Sequence, residues 1–167
     1  MAVVQPYEMN FSDKKFSMII SGSPGIGKTT LALSAPNPVL IDFDKGISRV
    51  NAQHRKTTIV SDTYEEILKD LNSPEVAAAE TIIIDTGGSL ISYLQDWAMR
   101  SNPSTNKLKN GSISRIGYGV VATEFNHFTE RLKVAMNKNV IYIFHTVEEK
   151  DRDTVKQRLL CEGKARN

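Results

Sequence analysis

The run Gly22-Ser-Pro-Gly-Ile-Gly-Lys-Thr29 fills every fixed position of the pattern Gly-x-x-x-x-Gly-Lys-[Ser/Thr], and it follows an apolar stretch, residues 16–20, that reads as a strand. A chain that places this loop between a strand and a helix is committed to an α/β layout with a phosphate site at the carboxyl edge of its sheet. Glycines let the backbone curl so that successive N–H groups face phosphate oxygens, and the helix that follows adds the positive end of its dipole. The expected nucleotide contacts are Gly22, Ser23, Pro24, Gly25, Ile26, Gly27, Lys28, Thr29 and Thr30. Lys28 is expected to reach the β and γ phosphates of ATP, and the Thr29 hydroxyl to ligate Mg²⁺.

Composition bounds the rest. With 167 residues, 40% hydrophobic and 24% charged, the chain has the makings of one soluble domain over 1–167, preceded by an extension at 1–13. No apolar run reaches membrane-spanning length and the first residues lack the order of a signal peptide, so a cytoplasmic protein with no membrane partner is expected. A single cysteine, Cys161, forbids an internal disulfide and agrees with a reducing compartment. The net charge of +2 is uninformative, but one segment is not: no acidic residue lies between Asp96 and Glu124, whereas Arg100, Lys107, Lys109 and Arg115 do. Within it, residues 100–117 are rich in Ser, Asn, Gly and Pro and lack periodicity, which predicts a long loop.

Strands and helices alternate. Strands are expected at 16–20, 38–42, 57–60, 81–85 and 140–145, most of them apolar without alternation, as in a parallel sheet covered on both faces. Helices are expected at 28–34, 64–72, 90–99 and 118–137. Asp62 and Thr63 are candidate caps of the second, with Glu65 and Glu66 three residues on. Leu90, Tyr93, Leu94 and Trp97, then Val121, Phe125, Phe128, Leu132 and Ala135, fall at helical spacing and read as core.

Three polar positions close apolar strands. Thr81-Ile-Ile-Ile-Asp85 ends in an aspartate at the ligand edge, which suits a second Mg²⁺ contact. Thr86 follows it where many NTPases place a catalytic glutamate, so the group that orients water must come from elsewhere. The segment Val39-Leu-Ile-Asp-Phe-Asp44-Lys-Gly46 offers Asp44, with Asp42 as competitor, since alternation sends both to one side. A solvated turn carboxylate is the plain alternative for Asp44. His145 closes the last strand and suits a γ-phosphate sensor or a satisfied strand end; His54 and His127 read as surface residues.

Gly22 to Thr30, Leu40-Ile-Asp-Phe-Asp-Lys-Gly46, Ile82-Ile-Ile-Asp-Thr86 and Tyr142-Ile-Phe-His-Thr146 together resemble the RecA-like ATPase core, in particular the short phage-encoded RecA-like ATPases associated with single-strand annealing and recombination. The resemblance spans most of the chain from Lys14 onward. It implies a three-layer P-loop fold with a mostly parallel central sheet, and Mg²⁺-dependent ATP hydrolysis. It also implies Lys28, Asp44, Asp85 and His145 as catalytic residues and Thr29 with Asp85 as the metal contacts. In that family a Glu usually stands where Asp44 is, one methylene longer, which bears on the rate of hydrolysis. The resemblance further implies a ring or filament in which residues 100–117 and 147–167 face single-stranded DNA; Lys107, Lys109 and Arg115 are the expected contacts, with Tyr118 the nearest aromatic for stacking. The second segment mixes both charge signs, and for both a solvated connection is the plain alternative. Residues 154–161 suit one further strand. The family's extra strands beyond it are missing, which suggests a truncated or minimal core, and Arg152 and Arg158 are the only guesses for an arginine finger. Two other functions suit the same motifs: a small P-loop kinase with a lid at 100–115, and a non-hydrolysing module that ATP switches for a protein partner.

Overall fold

A computed structural model describes residues 14–151 and 154–160. The strands are β1 (Ser17–Gly22), β2 (Pro38–Asp42), β3 (Thr58–Ile59), β4 (Thr81–Asp85), β5 (Asn139–Asp151) and β6 (Thr154–Leu159). The helices are α1 (Lys28–Ala32), α2 (Tyr64–Asp70), α3 (Pro74–Ala78), α4 (Gly87–Ser101), α5 (Pro103–Asn106) and α6 (Arg115–Glu130), with a π turn over Arg131–Ala135 and 3₁₀ turns at Ile47–Arg49 and Ala52–His54. The sheet order is β1-β5-β4-β2-β3, all parallel, and β6 pairs antiparallel with the outer half of β5. This is the three-layer α/β fold of P-loop NTPases.

Alternation along the central strands divides the core. Val39, Ile41, Ile82, Ile84, Val140, Tyr142 and Phe144 face the layer of α2, α3, α4 and α6, whereas Leu40, Ile83, Ile141 and Ile143 face Ala32, Leu33 and Val50 on the other side. β1 departs from the expected double burial. Among the described residues it pairs only with β5, at the sheet edge, and leaves Met18 and Ile19 exposed, as is Phe16 just before it.

Local chemistry sets the helix boundaries. Thr63 and Glu66 form both arms of a capping box at α2, while Asp62 instead pairs with Lys45. α4 begins three residues before its expected start because Thr86 Oγ1 accepts from Ser89 N (3.2 Å), and α6 begins early because Ser114 Oγ accepts from Gly117 N (3.0 Å). α1 stops short of residue 34, where Ser34 Oγ donates to Leu31 O (2.6 Å). The π turn changes the phase of the last stripe: Leu132 is buried, Ala135 faces solvent, and Met136 packs against the core in its place.

Residues 100–117 are not the long irregular loop expected from composition. They hold the end of α4, then α5, then a hairpin closed by the Lys107–Ile113 bridge. Buried Asn106 donates to Ala98 O (2.8 Å) and Ser114 Oγ donates to Thr105 O (2.7 Å), which ties the hairpin base to α4 and α6. Likewise residues 147–151 and 154–159 form the β5–β6 hairpin rather than a solvated connection, and Arg158 pairs with Glu149 (2.6 Å). Arg152, Cys161 and the extension at 1–13 lie outside the described residues.

Candidate functional site

Gly25 (φ 82°) and Gly27 (φ 90°) occupy left-handed backbone that side chains resist, and so turn the loop between β1 and α1 back on itself. Lys28 is buried beneath this turn, its Nζ donating to Gly22 O (3.0 Å) and Ser23 O (2.9 Å). Burial lowers its pKa, and the charge of Asp85 opposes the shift. Because α1 has five residues, the macrodipole is smaller than the expected longer helix would supply, and the loop N–H groups with Lys28 supply most of the positive potential.

The strand order assembles the site. β5 lies between β1 and β4, with Gly22 in register with His145 and Asp85 with Ile143, so the phosphate loop, His145 and Asp85 meet at one edge. Thr29 Oγ1 donates to Asp85 Oδ2 (2.6 Å). The Asp85 carboxyl titrates above the usual aspartate range, first because it is desolvated and then because Asp44 and Asp42 repel its charge; the Thr29 hydroxyl pulls the other way. The Asp85–Thr86 peptide bond is cis.

The two aspartates that periodicity left open separate here. β2 ends at Asp42, whose carboxylate is buried and accepts from Gly46 N (2.9 Å) and Ile47 N (2.7 Å), so Asp42 is the carboxylate that holds the turn. Asp44 lies past the strand, where alternation no longer applies. Its Oδ1 accepts from Thr86 Oγ1 (3.3 Å) and from Ser89 Oγ, and its Oδ2 lies 3.6 Å from His145 Nε2. On the other side of the ring, His145 Nδ1 is 3.2 Å from Lys28 Nζ. With the ammonium donating, Nδ1 accepts and the ring proton sits on Nε2, facing Asp44.

These groups line one open pocket of about 300 Å³, formed by Pro24, Gly25, Gly27, Lys28, Thr29, Thr30, Asp44, Gly46, Arg49, Val50, Asp85 and His145. Lys107, Lys109 and Arg115 stand elsewhere, exposed on the hairpin and the head of α6. Two features of the site escaped the sequence. Arg49 has no periodic or motif signal; only the fold brings its 3₁₀ turn over the pocket. Thr86 and Ser89 reach Asp44 across the sheet edge, and their spacing signals no more than a helix cap.

The donor set fits a triphosphate with a hard cation. Backbone amides and Lys28 offer positive potential, while the Thr29 hydroxyl and Asp85 carboxylate, already in contact, are the oxygen ligands that Mg²⁺ prefers. A family model described as an AAA domain matches residues 14–166. No curated protein matches the chain.

Proposed function

The chain belongs to the AAA domain family of P-loop NTPases, and from the geometry of its pocket we propose that it is a RecA-like, Mg²⁺-dependent ATPase that works on single-stranded DNA in recombination or annealing, of the kind phages encode. The observation that carries the hydrolytic part is the convergence of Lys28, the Thr29–Asp85 pair, Asp44 and His145 on one pocket. Loop amides from Ser23 to Gly27 hold the phosphates, and Lys28 clamps the β and γ groups. Thr29 and Asp85 would hold Mg²⁺, which would supply positive charge against that building on the phosphate oxygens. Asp44 orients water towards the γ phosphorus and draws its proton as the bond to the β–γ bridging oxygen breaks, giving ADP and phosphate. His145, between Lys28 and Asp44, senses the γ phosphate.

Support for DNA is separate. The exposed Lys107, Lys109 and Arg115 have no ion-pair partner among the described residues. Thr129 bonds Tyr142 (2.7 Å), and α6 runs back from there to Arg115 for about 21 Å, against about 10 Å of β5 from Tyr142 to His145. Where α6 runs back along the axis of β5, these lengths carry the hairpin past the ligand edge of the sheet. Such a position suits a strand threaded near the nucleotide sites of a ring or filament in the cytoplasm.

The test is phosphate release from ATP, with and without single-stranded DNA, for the wild type and for Lys28→Ala. The expected result is turnover that DNA increases and that Lys28→Ala lowers at least about a hundredfold, with nucleotide binding weakened. Unchanged affinity and turnover in Lys28→Ala would refute the site. Background turnover in both conditions favours an ATP-switched binding module, and transfer to a nucleoside in place of release favours a kinase.

A further inference from the structure

We propose that Thr86 and Ser89 are positioning residues for Asp44: their hydroxyls fix one oxygen of its carboxylate so that the other faces the space beside His145. The inference rests on the reading of Asp44 as the carboxylate that orients water, and names what aims it.

Asp44 stands beyond the end of β2, so no strand ladder holds it. Instead its backbone N–H donates to Asp85 O (3.2 Å), as does that of Phe43 (2.7 Å), and this draws the segment against the junction of β4 and α4. The side chain is then taken up by the same junction. Thr86 and Ser89 are both buried, at 4% and 7% exposure, and their hydroxyls lie 3.1 Å apart with Asp44 Oδ1 across from both. Backbone and side chain are thus located from one rigid element, which also carries Asp85. A short carboxylate held by two hydroxyls at the start of α4, next to Asp85, needs no extra methylene to reach a fixed place.

A cap explains only part of this arrangement. Thr86 caps α4 by accepting from Ser89 N, and that bond uses the Thr86 oxygen, not the Ser89 hydroxyl. A serine in the first turn of a helix gains nothing for the helix by donating away from it, and Ala is the better helix former. Among the described residues the Ser89 hydroxyl meets Asp44 and Thr86 alone, so removing it tests the carboxylate and spares the cap.

The experiment measures steady-state ATP hydrolysis and equilibrium ATP binding for Ser89→Ala, Ser89→Thr, Asp44→Asn and the double variant Asp44→Asn/Ser89→Ala in the full chain. A carboxylate that swings by about 1 Å loses on the order of tenfold to a hundredfold in kcat. Ser89→Ala is therefore expected to lose that much kcat while its ATP Kd stays within about twofold, because the phosphate contacts are untouched. Ser89→Thr, which keeps the hydroxyl, recovers most of the rate. In the Asp44→Asn background the Ser89→Ala change adds no further loss, since it acts only through the carboxylate. Full or raised kcat in Ser89→Ala, a loss confined to Kd, or additive losses in the double variant would each overturn the assignment. If Asp44→Asn itself keeps its turnover, the reading of Asp44 falls and takes the inference with it; if Asp44→Asn is inactive and Ser89→Ala is not, only the inference falls.

Discussion

Three aspartates share the sheet edge, and each answers to different neighbours. Asp42 satisfies two backbone N–H groups, so Asp42→Ala leaves Gly46 and Ile47 without acceptors and is expected to cost about 1–3 kcal/mol. That cost appears as a lower Tm of the nucleotide-free protein, whereas Asp44→Ala removes turnover with a smaller change in Tm. Equal loss of Tm in both variants would contradict the division. Asp85 behaves in the opposite sense. Desolvation, Asp44 and Asp42 raise its pKa above the unfolded value, so the folded chain binds this proton more tightly than the unfolded one. The ionised group therefore weakens the fold above its folded pKa, and the penalty disappears as pH falls through the raised value towards the unfolded one. Asp85→Asn, whose amide oxygen still accepts from Thr29, should raise Tm at neutral pH and lose Mg²⁺-dependent turnover. Its Tm advantage should shrink at mildly acidic pH, which melting curves at the two conditions would check. At this scale the place of Gly22–Thr29 between strand and helix, and of Asp85 at a strand end, could be read from the chain, because a motif and an apolar run locate them. The choice between Asp42 and Asp44 could not, because it depends on hydrogen bonds to a turn and to another strand.

At the scale of elements, strands β2 and β4 begin and end where their apolar runs do, since burial on both faces leaves little freedom. Helix starts were less legible. Apolar spacing starts the two helices at Leu90 and Tyr118, yet the caps at Thr86 and Ser114 and packing of α4 on α6 and β5 favour helix from the cap onward. The same competition hid the ordered hairpin inside 100–117, whose polar composition suggested a solvated loop while Asn106, Ile113 and Ser114 are buried. Gly117 tests that order. A Cβ placed there would lie 2.7 Å from Asn106 O, a backbone atom, and 2.6 Å from Ile113 Cγ1. Gly117→Ala should cost about 1–3 kcal/mol by forcing the hairpin base away from α6, with Tm lower by roughly 2–4 °C per kcal/mol. ATP affinity should stay near that of the wild type, since the phosphate loop lies on other elements. An unshifted Tm would mean that the hairpin base yields freely despite its ties to α4 and α6.

For the whole molecule, charge is nearly balanced at +2, so a long-range field offers little attraction for a polyanion and binding must come from where the cations are placed. The hairpin and the head of α6 form an exposed segment that itself carries no acidic residue, while the acidic groups at the pocket, Asp42, Asp44 and Asp85, are turned inward on the turn, the hydroxyls and Thr29. If this surface carries the DNA, affinity for a single-stranded oligonucleotide should fall with salt by roughly 0.7 log unit per log unit for each phosphate engaged. Replacing Lys107, Lys109 and Arg115 together by Gln should flatten the slope by up to about 2 if all three contact phosphates. ATP binding without DNA should be unaffected, because none of the three lines the pocket. The informative comparison is the DNA-stimulated rate in that triple variant: a flattened salt slope with stimulation lost would tie the hairpin to the coupling of strand and nucleotide. A salt slope identical to that of the wild type would move the DNA path away from this surface, and the β5–β6 hairpin, where Arg158 is paired with Glu149, would be the next segment to vary.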